Sequence, residues 1–233
     1  MMKGTLWAIP VIGLVLALAT SVHGAPVTIT NPSFEADVLG RDGKTNTQKN
    51  DGTDDWHQYF DPTGWSHSGT QNRGLASTAT DSFFGPTLAV TPDADANDQC
   101  VFLADGTYYY QVLSATLAAN ATYTLMANVG DRAAYSGPGN PSVRLGTGST
   151  VGANLLTPDT SYTPAAPDGG WTSWTITYTT GAAPAGLGNP LRIDLRATSK
   201  AGWFDNLSLD FVPEPASLAL LGVAGLLVLR RRK

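Results

Sequence analysis

Strict alternation of apolar and polar residues, with no helical period beside it, limits the central part of this chain most. Leu191, Ile193 and Leu195 alternate with Arg192, Asp194 and Arg196. Tyr123, Leu125, Ala127 and Val129 alternate with Thr122, Thr124, Met126 and Asn128, and Trp174, Ile176 and Tyr178 alternate with threonines. Leu207, Leu209 and Phe211 alternate with Asn206, Ser208 and Asp210. A period of two places one set of side chains on each face of a strand, so these runs predict half-buried strands. Shorter runs predict strands at Val27–Thr30, Leu88–Val90, Cys100–Leu103, Tyr108–Leu113 and Val143–Leu145. Turn clusters separate them, among them Ser136-Gly137-Pro138-Gly139-Asn140-Pro141 and Pro167-Asp168-Gly169-Gly170. Many short strands with such connections predict an all-β, two-sheet β-sandwich. Polar residues 39–55 predict a long mobile loop, and 182–189 a Pro/Gly/Ala loop.

Both ends depart from this pattern. Met1-Met2-Lys3 is positive, Leu6 to Ala19 is apolar, and Val22-His23-Gly24 precedes Ala25 as a small-residue cleavage site. Residues 1–24 therefore read as a signal peptide. Cleavage after Gly24 is preferred, because cleavage one residue later would leave Pro26 first. At the other end, Val212-Pro213-Glu214-Pro215 is followed by fourteen uncharged residues, Ala216 to Leu229, and by Arg230-Arg231-Arg232-Lys233. A comfortable spanning helix needs about 20 residues, so this run predicts a short hydrophobic helix, a transient span read by a processing enzyme. Its basic end is expected on the cytoplasmic side. Motif, short span and basic end together resemble the PEP-CTERM sorting signal of Gram-negative bacteria. The resemblance implies an exosortase-type membrane protease as partner, cutting near the motif. It implies transient inner-membrane anchoring with the C-terminus cytoplasmic, then release to the cell surface or medium. The domains expected are thus 1–24, 25–211 and 212–233.

Charge and cysteine content bound the mature region. The chain holds 14 basic and 19 acidic residues. Without Lys3, the four basic tail residues and Glu214, 9 basic and 18 acidic remain, and every acid but Glu35 is Asp. A surface this acidic argues against nucleic acid or anionic lipid as a partner and suits divalent cations and neutral or basic ligands. Cys100 is the only cysteine, so there is no intrachain disulfide, and its apolar run predicts a small buried core residue.

Asn31-Pro32-Ser33-Phe34-Glu35, then Gly64-Trp65, then Trp203-Phe204-Asp205-Asn206-Leu207-Ser208-Leu209 are similar to motifs of jelly-roll, galactose-binding-like carbohydrate-binding modules. The stretch from Tyr110 to Leu125 is similar as well. The resemblance implies a jelly-roll sandwich, and it implies a structural calcium ion held by Glu35 and Asp205. Calcium accepts six to eight oxygen ligands in irregular loop geometry, which suits a Glu and an Asp from opposite ends of a domain. The oxygen-rich run Asp93, Asp95, Asn97, Asp98 lacks the glycine and distal Glu of a calcium loop and reads as a solvated acidic turn.

Sugar rings pack on flat aromatic side chains, so loop aromatics are the candidate ligand contacts. Trp56, Tyr59 and Trp171 are named for that role, whereas Trp65 and Trp203 sit inside the fold motifs and read as core. Tyr108-Tyr109-Tyr110 puts neighbours on opposite faces of one strand. Catalytic patterns are weaker. His57 and His67 lie in polar stretches, and no Gly-x-Ser-x-Gly, P-loop, dinucleotide or zinc motif is present. The chain is read as an exported surface protein, non-catalytic, binding polysaccharide. The alternatives are an enzyme acting on polysaccharide and a structural, protein-binding surface component.

Overall fold

A computed structural model describes residues 24–37, 47–50, 54–58, 61–70, 73–77, 99–104, 106–130, 141–159, 171–198 and 201–214; the side chains of 47–50, 54–58, 77 and 201 are outside the description. The described residues form twelve strands and no helix. In chain order they are β1 (Ala25–Pro26), β2 (Thr47–Asn50), β3 (Asp54–Gln58), β4 (Ser66–Ser68), β5 (Arg73–Ser77) and β6 (Gln99–Ala104). They continue with β7 (Tyr108–Thr116), β8 (Ala121–Gly130), β9 (Pro141–Thr147), β10 (Trp171–Thr180), β11 (Pro190–Ala197) and β12 (Ala201–Pro213).

The larger sheet has the order β10-β8-β12-β6-β5-β3-β2, with β1 paired to the far end of β12. The smaller sheet has the order β4-β7-β11-β9. All pairings are antiparallel. Between the sheets lies one core, to which β8 gives Tyr123, Leu125 and Val129, β11 gives Leu191, Ile193 and Leu195, and β10 gives Trp174, Ile176 and Tyr178. The expected all-β sandwich is therefore the fold, and the strands read from period-two patterns after residue 99 all appear, mostly longer than expected.

The N-terminal third differs from expectation. Pairing stops at Pro26 where a strand was expected at Val27–Thr30. Val27 still donates to the Leu209 carbonyl, but Thr30 donates its backbone N–H to the Gln111 side chain, so the segment peels from the sheet edge inward. The expected mobile loop at 39–55 contains β2, which pairs with β3 as a hairpin extending the large sheet. The expected strand at Leu88–Val90 lies outside the described residues, as do the signal peptide and the apolar C-terminal run.

Two burial patterns follow from the topology. Cys100 is fully buried, as its sequence context predicts. Together with Ala76, Phe102 and Trp203 it forms a second, smaller cluster, separate from the intersheet core. Trp65 joins the main core beside Phe34, and its indole N–H donates to the Asn31 carbonyl. Gly64 precedes it at φ 84°, where a Cβ would fall 2.6 Å from the Thr30 methyl, so glycine is required there on both counts.

Candidate functional site

The outward face of the four-stranded sheet carries a row of polar and aromatic side chains among the described residues. Along β7, Tyr109, Gln111 and Leu113 point inward and are buried, so Tyr108, Tyr110 and Val112 point outward. Register places Ser68, Tyr108, Arg196 and Ser142 in one row across the sheet, and Ser66, Tyr110, Asp194 and Arg144 in the next. The Arg196 guanidinium lies 4.9 Å from the centre of the Tyr108 ring, within cation–π range. Arg196 Nε and Ser142 Oγ, neighbours in that row, are buried without a hydrogen-bond partner. The face thus carries two half-buried tyrosine rings, fixed cations and unspent polar groups.

A loop walls one side of this face. Residues 148–156 fold back over β9 and β11, and Arg192 holds them there. Its Nε and Nη2 donate to Asp194 at 2.6 and 2.9 Å, Nη1 donates to the Thr147 and Gly148 carbonyls, and Nη2 donates to the Ala153 carbonyl. Asp194 accepts in turn from the Gly152 backbone N–H. All five guanidinium donors are used, and both side chains are inaccessible to water. Gly146 makes room for this arrangement, since a Cβ there would lie 2.8 Å from Arg192 Nη2.

A second group of titratable side chains lies between β4, an edge strand of the small sheet, and the start of β5 in the large sheet. His67 Nδ1 lies 2.7 Å from Asp61, Arg73 Nε donates to the same carboxylate at 3.2 Å, and Arg73 Nη2 lies 2.7 Å from His67 Nε2. Arg73 Nη2 also lies 2.9 Å from Nδ1, so the guanidinium reaches both ring nitrogens. His67 is cross-strand neighbour to Tyr109. Burial raises the Tyr109 pKa far above the usual phenol value, and the nearby Asp61 charge adds to the rise. Asp37, buried close by, accepts from Asn31, from the Thr63 backbone N–H and from the Thr63 hydroxyl, which fixes the 61–65 turn. No sequence pattern unites Asp61, His67 and Arg73; they meet where the chain passes from β4 of the small sheet to β5 of the large one.

The expected site residues fall in several places. Glu35 accepts from the Gln99 backbone N–H at 2.6 Å and from its side-chain amide at 3.1 Å, at the start of β6. Asp205 is buried in β12, one residue beyond the Phe204–Val101 pair with β6, and accepts from the Asn206 backbone N–H. The turn containing Glu35 also meets β12 directly, because Leu207 donates to the Pro32 carbonyl. The two carboxylates thus belong to segments that meet beside β6. Both offer oxygen, the donor calcium prefers. Among the described residues no group of three or more His, Cys, Asp or Glu is placed to hold a metal, so backbone oxygens would have to complete a calcium shell. Trp171 starts β10 half-buried, packs on the Phe102–Trp203 cluster, and buries its indole N–H without a partner. The Trp56 side chain and Tyr59 lie outside the described residues. Val212 and Pro213 end β12, paired with Thr122 and Ala121, and Glu214 donates its backbone N–H to the Asn120 carbonyl. Pro215 lies outside the description.

Fold and ends together define an exported two-sheet β-sandwich carrying a C-terminal sorting signal: the PEP-CTERM protein-sorting motif matches residues 211–233. The profile of the HpiC1-like family, described as HpiC1 cyclase, matches residues 25–211, and the chain belongs to that family. Among solved structures it is similar to a Stig cyclase, Fisc, from Fischerella sp. TAU in complex with an indole compound. That likeness has 20% identity and a TM-score of 0.57 over 82% of this chain and 99% of the other. An apo cyclase from Fischerella sp. is similar at 21% identity and TM-score 0.55, over 82% and 97% of the two chains. These likenesses show the sandwich fold. The CBM22-1 xylan-binding domain of Paenibacillus barcinonensis Xyn10C is a looser match, with 15% identity and a TM-score of 0.42 over 66% and 90%. No protein of curated function matches the chain.

Proposed function

We propose that the sandwich is a non-catalytic binding module, exported and sorted by an exosortase, whose ligand is an extracellular polysaccharide. The supporting observation is the outward face of β4-β7-β11-β9. Tyr110 offers a flat ring, Tyr108 carries Arg196 on its own ring, and Ser66 and Ser68 lie beside the two in register, next to the loop that covers Asp194. Rings of this kind stack on sugars, and a few placed polar groups orient them. A panel of polysaccharides tested against the purified protein, with bound and released material both measured, checks this. Saturable binding without products, abolished by Tyr110→Ala at an unchanged melting temperature, is the expected result. Binding that survives Tyr110→Ala removes the site from this face.

A second reading is enzymatic, of the cyclase kind for which the family is named. The observation favouring it is the connected Asp61–His67–Arg73 group beside buried Tyr109. An imidazole oriented by a carboxylate is the arrangement general acid–base chemistry uses. Product release lost in Asp61→Asn, with binding retained, would place this reading first.

We also infer a structural calcium ion, with Glu35 and Asp205 as its carboxylate donors. A ligand bound only by the native state stabilises it, so the melting temperature should rise with calcium and fall with chelator. Identical melts in both would exclude the ion.

A further inference from the structure

Both apolar terminal segments leave the sandwich at the same pole. Ala25 pairs with Phe211 and Pro26 with Asp210, so the residue after the signal peptide lies beside the strand that runs into the sorting motif. β12 stays paired with β8 through Pro213, and Glu214 is still tied to Asn120. Only Pro215 separates that last bond from the apolar run beginning at Ala216. Two extended residues reach about 7 Å. The headgroup layer on each side of a bilayer is itself roughly 5–8 Å thick. An anchored sandwich therefore has no linker with which to stand clear of the lipid. The run is also short: fourteen residues give a helix of about 21 Å against a hydrocarbon core of about 30 Å. Such a deficit draws flanking groups toward the bilayer.

The surface at that pole suits this position. It is built from the turn 117–120, Leu-Ala-Ala-Asn, and the loop 181–189, Gly-Ala-Ala-Pro-Ala-Gly-Leu-Gly-Asn, with no charged residue in either. The two are tied together: Leu117 donates to the Asn189 carbonyl, Gly188 to Leu117, and Asn120 to Gly181. The loop closes on itself as well, Leu187 donating to Pro184 and Asn189 to Gly186. Leu187 is thereby held outward on a fixed backbone, and at 52% it is the most exposed large apolar side chain among the described residues. On a chain this acidic, a pole whose two loops carry no charge and present a leucine, with the acids Glu214 and Asp159 only at its margin, suits a lipid surface beside the exit of two apolar segments.

We propose that the pole formed by 117–120 and 181–189 is a membrane-seating surface, with Leu187 entering the interfacial layer of the lipid bilayer while the tail is uncut. This rests on the reading of the tail as a membrane anchor. The seat orients the molecule, because the Tyr108–Arg196 row and the Asp61–His67–Arg73 group both lie toward the opposite ends of β7 and β11. Those surfaces then face away from the membrane.

The test uses the full chain in phosphatidylcholine vesicles, with an environment-sensitive dye on Leu187→Cys and, separately, on Thr70→Cys at the far pole. Native Cys100 is buried and does not compete for label. The expected result is a blue shift and loss of emission to spin-labelled lipid for position 187, with neither at position 70. A chain that sediments with vesicles while the 187 dye stays water-like and unquenched overturns the seat and leaves the anchor standing. A chain that does not sediment with vesicles overturns both.

Discussion

β10 and β11 present the same pattern in sequence and opposite outcomes in structure. Each alternates large apolar residues with polar ones. In β10 the polar set is threonine and serine, and Ser173, Thr175 and Thr179 face water. In β11 the polar set is Arg192, Asp194 and Arg196, and the first two are as inaccessible as the leucines between them. The difference is made elsewhere in the chain: loop 148–156 covers β11, and its carbonyls need donors that arginine supplies. A period-two pattern therefore reports which face meets the core. It does not report whether the other face is wet.

Substitution should separate the two strands sharply. Arg192→Ala leaves buried Asp194 with only the Gly152 N–H and the Thr147, Gly148 and Ala153 carbonyls without their arginine donors, and is expected to cost about 3–5 kcal/mol. In contrast, Thr175→Ala should stay within about 0.5 kcal/mol. Urea melts of both variants check this, and equal effects would erase the distinction. Arg192→Met combined with Asp194→Leu should recover only part of the loss, since the loop carbonyls stay unpaired.

Alkali should act on β10 from its inner face. Tyr178 crosses the core and accepts the Leu145 backbone N–H, and burial raises its pKa to about 12. The native state thus holds this proton more tightly than the unfolded chain, whose tyrosines titrate near pH 10. The stabilisation is full below pH 10 and is lost as pH rises from about 10 to about 12, with a slope of about 1.4 kcal/mol per pH unit for one such tyrosine. Tyr109 is raised in the same direction and adds to the loss. Tyr178→Phe should shift the chemical midpoint less between pH 9 and pH 11 than the parent does; an identical pH dependence would remove Tyr178 from the account.

The smallest effect belongs to the edge of β10. Asp159 accepts the Thr179 backbone N–H and hydroxyl, both at 2.8 Å, and donates its own N–H to the Thr177 carbonyl. This closes part of an otherwise open strand edge. Asp159→Ala is expected to cost about 1 kcal/mol and to raise protease cutting near residue 159. Unchanged cutting would mean that the edge needs no clamp.

Much of the fold could be read from the chain because its second half alternates cleanly. β8, β10, β11 and β12 are long and strongly patterned, and each appears where expected. β2 and β3 could not be read, since Thr-Gln-Lys-Asn and Asp-Asp-Trp-His-Gln carry no alternation of apolar and polar residues. The site was legible in fragments. The triple tyrosine told that neighbours face opposite ways, and the structure assigns Tyr109 inward and its two neighbours outward. That Arg196 stacks on Tyr108 depends on cross-strand register, which is set by a pairing far apart in sequence, and that Asp61 meets Arg73 and His67 depends on how the chain passes from one sheet to the other. Trp171 read as a loop ring, yet its strand packs it on Trp203. The family match likewise lies outside what any one motif carries.

The place of β12 has a consequence for time as well as for shape. It is the last strand of the domain, yet it sits in the middle of the large sheet, between β8 and β6, with the first strand added at its end. Until β12 arrives, β10 and β8 on one side and β6, β5, β3 and β2 on the other have nothing to join them. A chain that crosses a membrane N-terminus first delivers this strand last, immediately ahead of the sorting motif. The strand that joins the two halves of the large sheet is thus the strand that runs into the sorting motif, so closure of the sandwich and presentation of the motif depend on the same residues.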